Sequence, residues 1–358
     1  MNRIRSVITA SGSFLPPVRM PNEQFLQHDF RSNNGKPFDK TNQQILDQFE
    51  AITGIRERRY ASDDQVTSDL ATEAARKALE AAGTDGSALD AIIVAHNFGD
   101  VRAGSCRSDL VPALAARVKH NLASTNPASA AWDLVFGCPG WLQGVIVADT
   151  MIRAGDAKQV MVIGAEALSR VSDPHDRDSL IYSDGAGATI LEAVDSEEKT
   201  GIVAHSVRSD TNDELEMLSM ARSYNSDLLG DEIYLKMEGR KLYRYALQTV
   251  AGAIRGCLER AGIAIGEIDK ILLHQANYKM DEAIVTALYN LYELPVPEGI
   301  MPMTIGWLGN SSVATLPTMY DLIVRDQLDG HRISSGDNLV FASVGAGMNI
   351  NAFAYRVP

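Results

Sequence analysis

Short runs of consecutive apolar residues alternate along this chain with longer stretches whose apolar positions recur every three or four residues. The short runs, at 4–10, 91–95, 132–136, 159–164, 186–193, 270–273, 338–343 and 349–355, read as buried strands. The longer stretches, at 67–82, 109–120, 140–154, 240–261, 280–291 and 312–327, read as helices. Strands that are apolar throughout and separated by helices imply sheets covered on both faces, an α/β arrangement. The helix over 140–154 is apolar on nearly every side, from Trp141 and Leu142 to Met151 and Ile152, and belongs inside a core. Two stretches break the alternation. Residues 16–40, rich in Pro, Asn and Gly, are expected as an irregular surface excursion, and 215–231 as a lid or pocket-wall loop.

The alternation also repeats. Residues 74–94 align with 253–273 without a gap, at an offset of 179 in a chain of 358. The identical pairs are Ala74/Ala253, Arg76/Arg255, Leu79/Leu258, Glu80/Glu259, Ala82/Ala261, Gly83/Gly262, Asp90/Asp269 and Ile92/Ile271. Each copy reads as a helix closed by a glycine, a polar link and a strand. An offset of half the chain predicts a duplicated domain, with halves 1–195 and 196–358. No Gly/Ser or Pro linker separates them, so they are expected to pack as one body.

Composition narrows the class. With 45% hydrophobic and 22% charged residues the chain is of the soluble globular kind. No apolar run approaches the ~18 residues of a membrane span, and the basic N-terminal stretch lacks the apolar core of a signal peptide. A net charge of −13 argues against a nucleic-acid partner. The three cysteines, Cys106, Cys138 and Cys257, lie far apart without CxxC spacing. Neither a metal site nor a disulfide framework is expected, and a reducing, cytoplasmic setting fits best.

Cys138 stands where a strand gives way to the apolar helix, in Gly137-Cys138-Pro139-Gly140. Pro139 suits the first helical turn. Cys138 then falls at or near the N-cap, where free N–H groups and the helix dipole favour a thiolate. A buried cysteine acting as a small hydrophobe fits the same position, so a nucleophile requires a partner. Of seven histidines, six stand in polar or loop-like surroundings and are expected to be solvated. His274 instead follows the apolar run 271–273, at the strand end where active residues of α/β sheets collect. Asn310, in Gly309-Asn310-Ser311-Ser312 before a helix, is either a third functional group or a capping residue.

The combination resembles β-ketoacyl-acyl carrier protein synthase III. The cysteine motif 133–138, the run Leu273-His274-Gln275-Ala276-Asn277 and Gly309-Asn310-Ser311-Ser312 are similar to the family's three active-site motifs. Thr53-Gly54-Ile55-Arg56-Glu57-Arg58, the stretch from Asp173-Pro174-His175-Asp176-Arg177 to Asp184-Gly185-Ala186-Gly187-Ala188, Lys236-Met237-Glu238-Gly239 and Gly345-Ala346-Gly347 match further signatures in the family's order.

The resemblance implies a thiolase-like duplicated α-β-α-β-α five-layered sandwich, assembled as a homodimer. It also implies a catalytic set of Cys138, His274 and Asn310, with the N–H groups of Cys138 and Ala346 as an oxyanion hole. Arg177 and Asn277 match positions that contact coenzyme A or its pantetheine, and Arg244 and Lys279 match carrier-protein docking positions. No permanently bound cofactor is implied. Coenzyme A and phosphopantetheine thioesters serve as substrates, from an acyl-CoA or acyl-carrier protein donor and malonyl-acyl carrier protein. The reaction implied is a decarboxylative Claisen condensation through an acyl-Cys138 intermediate.

Some positions depart from the pattern. Gln48 and Ile52 stand where the family has a tryptophan and an arginine on the adenine face, Val344 replaces a phenylalanine, and Pro139 and Trp141 replace Ala and Phe. The segment 96–100 also differs from the usual acyl-pocket wall. These leave two alternatives open: an acyltransferase making an ester or amide, and a non-catalytic partner subunit of a condensing heterodimer.

Overall fold

The computed structural model describes residues 3–228 and 230–358. Two mixed sheets form its frame. The first orders its strands Ile4–Phe14, Asp184–Asp195, Gln159–Ala167, Ala91–His96 and Ala130–Val135. The second runs Gly201–Ser209, Asn349–Arg356, Asn338–Gly345 and Lys270–Leu273. The orders correspond strand for strand. In place of a fifth strand the second sheet has a backbone bond from Ile271 N–H to Ile300 O (2.9 Å), as the first has one from Ala130 N–H to Asp90 O (2.9 Å).

Helices separate and cover the sheets in five layers, as the resemblance implies. Helices Thr67–Ala82 and Leu114–Asn121 pack on the outer face of the first sheet. Helices Gly140–Ala154 and Thr315–Val324 fill the space between the sheets. Helices Gly239–Ala261 and Tyr278–Asn290 cover the second sheet. Trp141 is fully buried in the middle layer, its ring 5.8 Å from Phe341 and 6.0 Å from Phe353. Such aromatic pairs add about 0.5–1.5 kcal/mol beyond burial, which ties the first half's central helix to the second half's sheet.

The repeated residues occupy equivalent places. Gly83 (φ 67°) and Gly262 (φ 68°) end their helices in the left-handed conformation. The Asp90 carboxylate accepts from Gln159 N–H (3.0 Å), and that of Asp269 accepts from Asn338 N–H (2.8 Å). Gly164 and Gly187 are paired across two strands, leaving the face of the first sheet bare. A Cβ on Gly164 would strike Val313 O, and one on Gly187 would lie 2.6 Å from Thr318 N. The second half's central helix therefore rests on backbone, and the Asn310–Val313 turn is pressed against the first sheet.

Several elements differ from the sequence reading, and within the stretch expected to be irregular Val18–Pro21 pairs antiparallel with Glu57–Tyr60. The helix expected from 109 starts at Leu114, because Pro112 disfavours helical geometry at Val111 and the Asp133 carboxylate caps Leu114 N–H (2.7 Å) and Ala115 N–H (2.8 Å). Helix Asn42–Thr53 escaped notice because only Ile45, Leu46 and Thr53 on it are buried. Edge strand Gly201–Ser209 escaped because its second half is largely solvated. Within 215–231, Leu218–Arg222 pairs antiparallel with Ile233–Met237, while Leu229 lies outside the described residues. Among the described residues no helix is long and apolar enough to cross a membrane.

Candidate active site

The nucleophile candidate lies where the two halves touch. Strand Ala130–Val135 ends at Phe136, and helix Gly140–Ala154 takes Pro139 as its N-cap, so Cys138 sits one residue before the cap. A Cβ on Gly137 would lie 2.6 Å from Ala346 N, and one on Gly345 would lie 2.5 Å from Cys138 N. Each glycine thus makes room for the other half's backbone. Two N–H groups, of Cys138 and Ala346, are brought side by side, and neither donates to another group among the described residues. Backbone N–H groups free of other partners beside a thiol are the donors that an oxyanion requires.

Burial governs the thiol. It pushes Cys138 up to about 11, only partly opposed by a hydrogen bond from Ser312 Oγ to Sγ (3.3 Å). Desolvation of the charged form thus opposes the thiolate that the helix N-terminus favours.

His274 extends strand Lys270–Leu273, held by its own N–H donating to Ala342 O (2.9 Å). The next side chain, Gln275, is fully buried and locks the segment. Its Oε1 accepts from the N–H groups of Thr304 (2.8 Å) and Ile305 (2.9 Å), while Nε2 donates to Pro302 O (2.7 Å). His274 is 3% exposed, and neither ring nitrogen has a partner among the described residues. Burial lowers it to about 4, which keeps the ring neutral at physiological pH. One unpaired ring N–H and one unpaired lone pair are left to act on something else.

Asn310 is equally buried and better anchored. Its backbone bridges Ile181 O and Ser183 N–H, and its Oδ1 accepts from Ser312 N–H (2.8 Å). With the oxygen occupied, the amide presents its NH₂ end, so the group is a donor by construction. Ser312 joins Asn310 to Cys138. His274 reaches the same end of the sheets along its own strand.

A cavity of about 1440 Å³ opens beside this cluster, with Phe38, Ile52, Arg177, Arg244, Asn277 and Met280 in its wall. Its lining reaches Ala276 and Asn277 but includes none of Cys138, His274 and Asn310. Asn277 Oδ1 caps helix Tyr278–Asn290 by accepting Met280 N–H (3.1 Å). Arg244 and Lys279 are both exposed, and only Arg244 lines the cavity. Arg177 has its guanidinium 4.7 Å from the Phe38 ring centre. Phe38 belongs to the 16–40 stretch, and Gln48 accepts from Lys40 Nζ (2.7 Å).

Several polar groups escaped sequence reasoning. Ser312 lies inside the Gly309-Asn310-Ser311-Ser312 motif, where the sequence marks only a helix start. Tyr182 has a buried hydroxyl without a partner, held well above its ordinary range by burial, with Cys138 among the charges it senses. Glu166 is buried and pushed up to about 7 by desolvation. Its contact with Asn97 joins residues far apart in sequence, and nothing local signals it. His96 also departs from expectation. It is fully buried, with Nε2 3.1 Å from the Asp133 carboxylate and Nδ1 accepting Gly99 N–H (3.0 Å).

Known proteins share this frame. The family profile of 3-oxoacyl-[acyl-carrier-protein (ACP)] synthase III matches residues 132–211, and its C-terminal counterpart matches 258–357. A β-ketoacyl-[acyl-carrier-protein] synthase III of Novosphingobium aromaticivorans is 36% identical over 360 residues, covering 99% of each chain. One from Brucella anthropi is 32% identical over 357 residues, again across 99% of each. Among solved structures, the 3-oxoacyl-(acyl carrier protein) synthase III of Pseudomonas aeruginosa superposes with a TM-score of 0.81 at 27% identity, covering 99% of this chain and 98% of that one. The priming β-ketosynthase of the R1128 polyketide pathway gives 0.82 at 26% identity, with coverage of 100% and 97%.

Proposed function

The chain belongs to the 3-oxoacyl-[acyl-carrier-protein] synthase III family of thiolase-fold, acyl-transferring condensing enzymes, and on that premise we propose that it joins an acyl thioester primer to malonyl-acyl carrier protein through acyl-Cys138. The observation that supports the reading is a thiol next to the N–H groups of Cys138 and Ala346 at the seam of the halves, joined through Ser312 to an asparagine turned to donate, with a neutral His274 at the end of its own strand.

In the first half-reaction the Cys138 sulfur attacks the thioester carbonyl. The N–H groups of Cys138 and Ala346 hold the tetrahedral oxyanion, and the thiol proton leaves with the departing coenzyme A or carrier thiol. In the second, the malonyl carboxylate leaves as carbon dioxide. His274 N–H and the Asn310 NH₂ hold the enolate oxygen, and the new carbon–carbon bond forms at the acyl carbonyl. Cys138 departs as thiolate and takes up one proton. Neutral donors suit this step, since a carboxylate there would repel the enolate.

Arg177 and Asn277 are assigned to the thioester's cofactor portion, and Arg244 and Lys279 to the carrier protein, on an otherwise acidic molecule. The chain is read as halves 1–195 and 196–358, working as a homodimer in the cytoplasm. The open edge of Ala130–Val135, where Val135 is 62% exposed, and the exposed Leu110–Val111 pair favour pairing with a second copy.

The test is intact-mass measurement after exposure to acyl-CoAs and acyl-carrier proteins of graded length, beside Cys138→Ala, followed by addition of malonyl-acyl carrier protein. A mass gain confined to the native cysteine, then a β-ketoacyl product with carbon dioxide, is expected. Acylation followed by ester or amide formation without carbon dioxide would overturn the condensing role.

A further inference from the structure

Behind Cys138 three side chains form a line. Ser312 Oγ donates to Cys138 Sγ at 3.3 Å, and Asn97 Nδ2 donates to Ser312 Oγ at 3.1 Å. Asn97 Nδ2 also donates to Glu166 Oε1, which accepts the Asn97 backbone N–H as well, at 2.7 Å. The register explains the meeting: Ala95 pairs with Gly164 in parallel strands, so residues 97 and 166, two positions further along each chain, face one another.

The direction of each bond follows from the chemistry of its end. Glu166 Oε1 accepts twice, so the Asn97 amide must turn its nitrogen inward. The second N–H of that nitrogen is then spent on Ser312 Oγ. A hydroxyl whose oxygen is accepting from Asn97 aims its own proton elsewhere, and the sulfur lies in that direction. Ser312 is held for this at φ 51°, a left-handed conformation that L side chains rarely adopt, with its N–H donating to Asn310 Oδ1. Asn97 belongs to the 96–100 segment, which departs from the usual family pattern.

We propose that Asn97 and Glu166 are positioning residues that turn the Ser312 hydroxyl toward Cys138, keeping a fixed donor on the sulfur whenever it carries negative charge. The hydroxyl faces the sulfur while the two N–H groups serve the oxyanion, so leaving-group and oxyanion charge have separate donors. Glu166, itself pushed up to about 7 by burial, changes charge within the same pH range, and its carboxylate form opposes a thiolate at Cys138. Glu166 and Tyr182 lie within electrostatic reach of Cys138, and His96 and Asp184 within reach of Glu166.

The inference rests on Cys138 as the nucleophile, and its test reads the thiol directly. The measurement is the pH dependence of iodoacetamide alkylation in the full-length protein, with the label located on the Cys138 peptide and folding checked by thermal melting. Ser312→Ala removes one heavy atom and is expected to raise the apparent thiol pKa by about one unit, which reads as roughly tenfold slower alkylation at pH 8. Asn97→Ala is expected to shift it the same way by less, because the hydroxyl remains but is free to turn. The double variant should match Ser312→Ala alone. Glu166→Ala should behave as Asn97→Ala. Glu166→Gln keeps an accepting oxygen without the charge and should alkylate at least as fast as the native protein.

An unchanged profile in Ser312→Ala would overturn the proposal. So would additive shifts in the double variant, or Glu166→Gln behaving as Glu166→Ala. Failure of the native protein to acquire any acyl mass would count against the condensing function alone, since the alkylation series does not depend on it.

Discussion

Two histidines stand at the carboxyl ends of corresponding strands, one in each half. His96 closes strand Ala91–His96 and His274 follows strand Lys270–Leu273. Both are buried, at 0% and 3% exposure. They differ in their partners. His96 accepts Gly99 N–H on Nδ1 and has Nε2 3.1 Å from the Asp133 carboxylate without a hydrogen bond's geometry, whereas neither nitrogen of His274 has a partner among the described residues. Burying a polar ring without partners costs stability, and an unmet group in a core is retained where it acts on something outside the protein. Burial alone therefore does not separate a structural histidine from a functional one. Satisfaction does.

The helix N-termini repeat the lesson. The first half places Cys138 ahead of its central helix, and the second half places Asn310 and Ser312 ahead of its own. Duplication supplied two similar turns facing each other. One carries the thiol of Cys138, and its counterpart carries the neutral donors Asn310 and Ser312.

The largest expected effect breaks the cysteine turn: Cys138→Ala should abolish acyl-enzyme and lower kcat by ~10⁴-fold or more, by mass and by product assay. Next, His274→Ala and Asn310→Ala should each lower the condensation rate by about 10²–10³-fold, the usual cost of one charge-stabilising donor, while acylation of Cys138 persists. His96→Ala is the contrast. Losing its buried partners should cost ~1–3 kcal/mol of stability, seen as a lower melting temperature, with kcat nearly unchanged.

His274 should also mark the pH profile of stability. Its proton affinity in the folded protein is lowered to about 4 from an ordinary 6.5, by burial. Between those values the unfolded chain binds a proton that the folded chain refuses, so stability falls as pH drops through that window, by up to ~3 kcal/mol. Denaturant titrations from pH 7 to 4 should show that slope in the native protein and a shallower one in His274→Gln. The smallest effect lies at the mouth. Phe38→Ala removes the ring beneath Arg177, a contact of about 0.5–1 kcal/mol, and should weaken acyl-CoA donors a few-fold while leaving carrier-bound donors unaffected.

Much of this architecture was legible in the chain. The pairs Gly83/Gly262 and Asp90/Asp269 announced the duplication, and the structure gives each pair one job in both halves. Cys138, His274 and Asn310 stood out because each follows a strand or precedes a helix at a break in the pattern. What stayed hidden depends on contacts between distant segments. Asn97 with Glu166, Gly137 with Ala346 and Phe38 with Arg177 carry no local signature, since each residue has an ordinary neighbourhood until the sheets are assembled. The desolvation that raises the thiol is likewise a property of the assembled halves.

The most direct test of the central claim is carbon dioxide release from malonyl-acyl carrier protein by fully acylated His274→Ala, followed beside His96→Ala and the native enzyme. The account predicts complete acylation of Cys138 in all three, with release about a hundredfold or more slower in His274→Ala only. Release at the native rate from His274→Ala, or an equal loss in His96→Ala without any loss of folding, would contradict it.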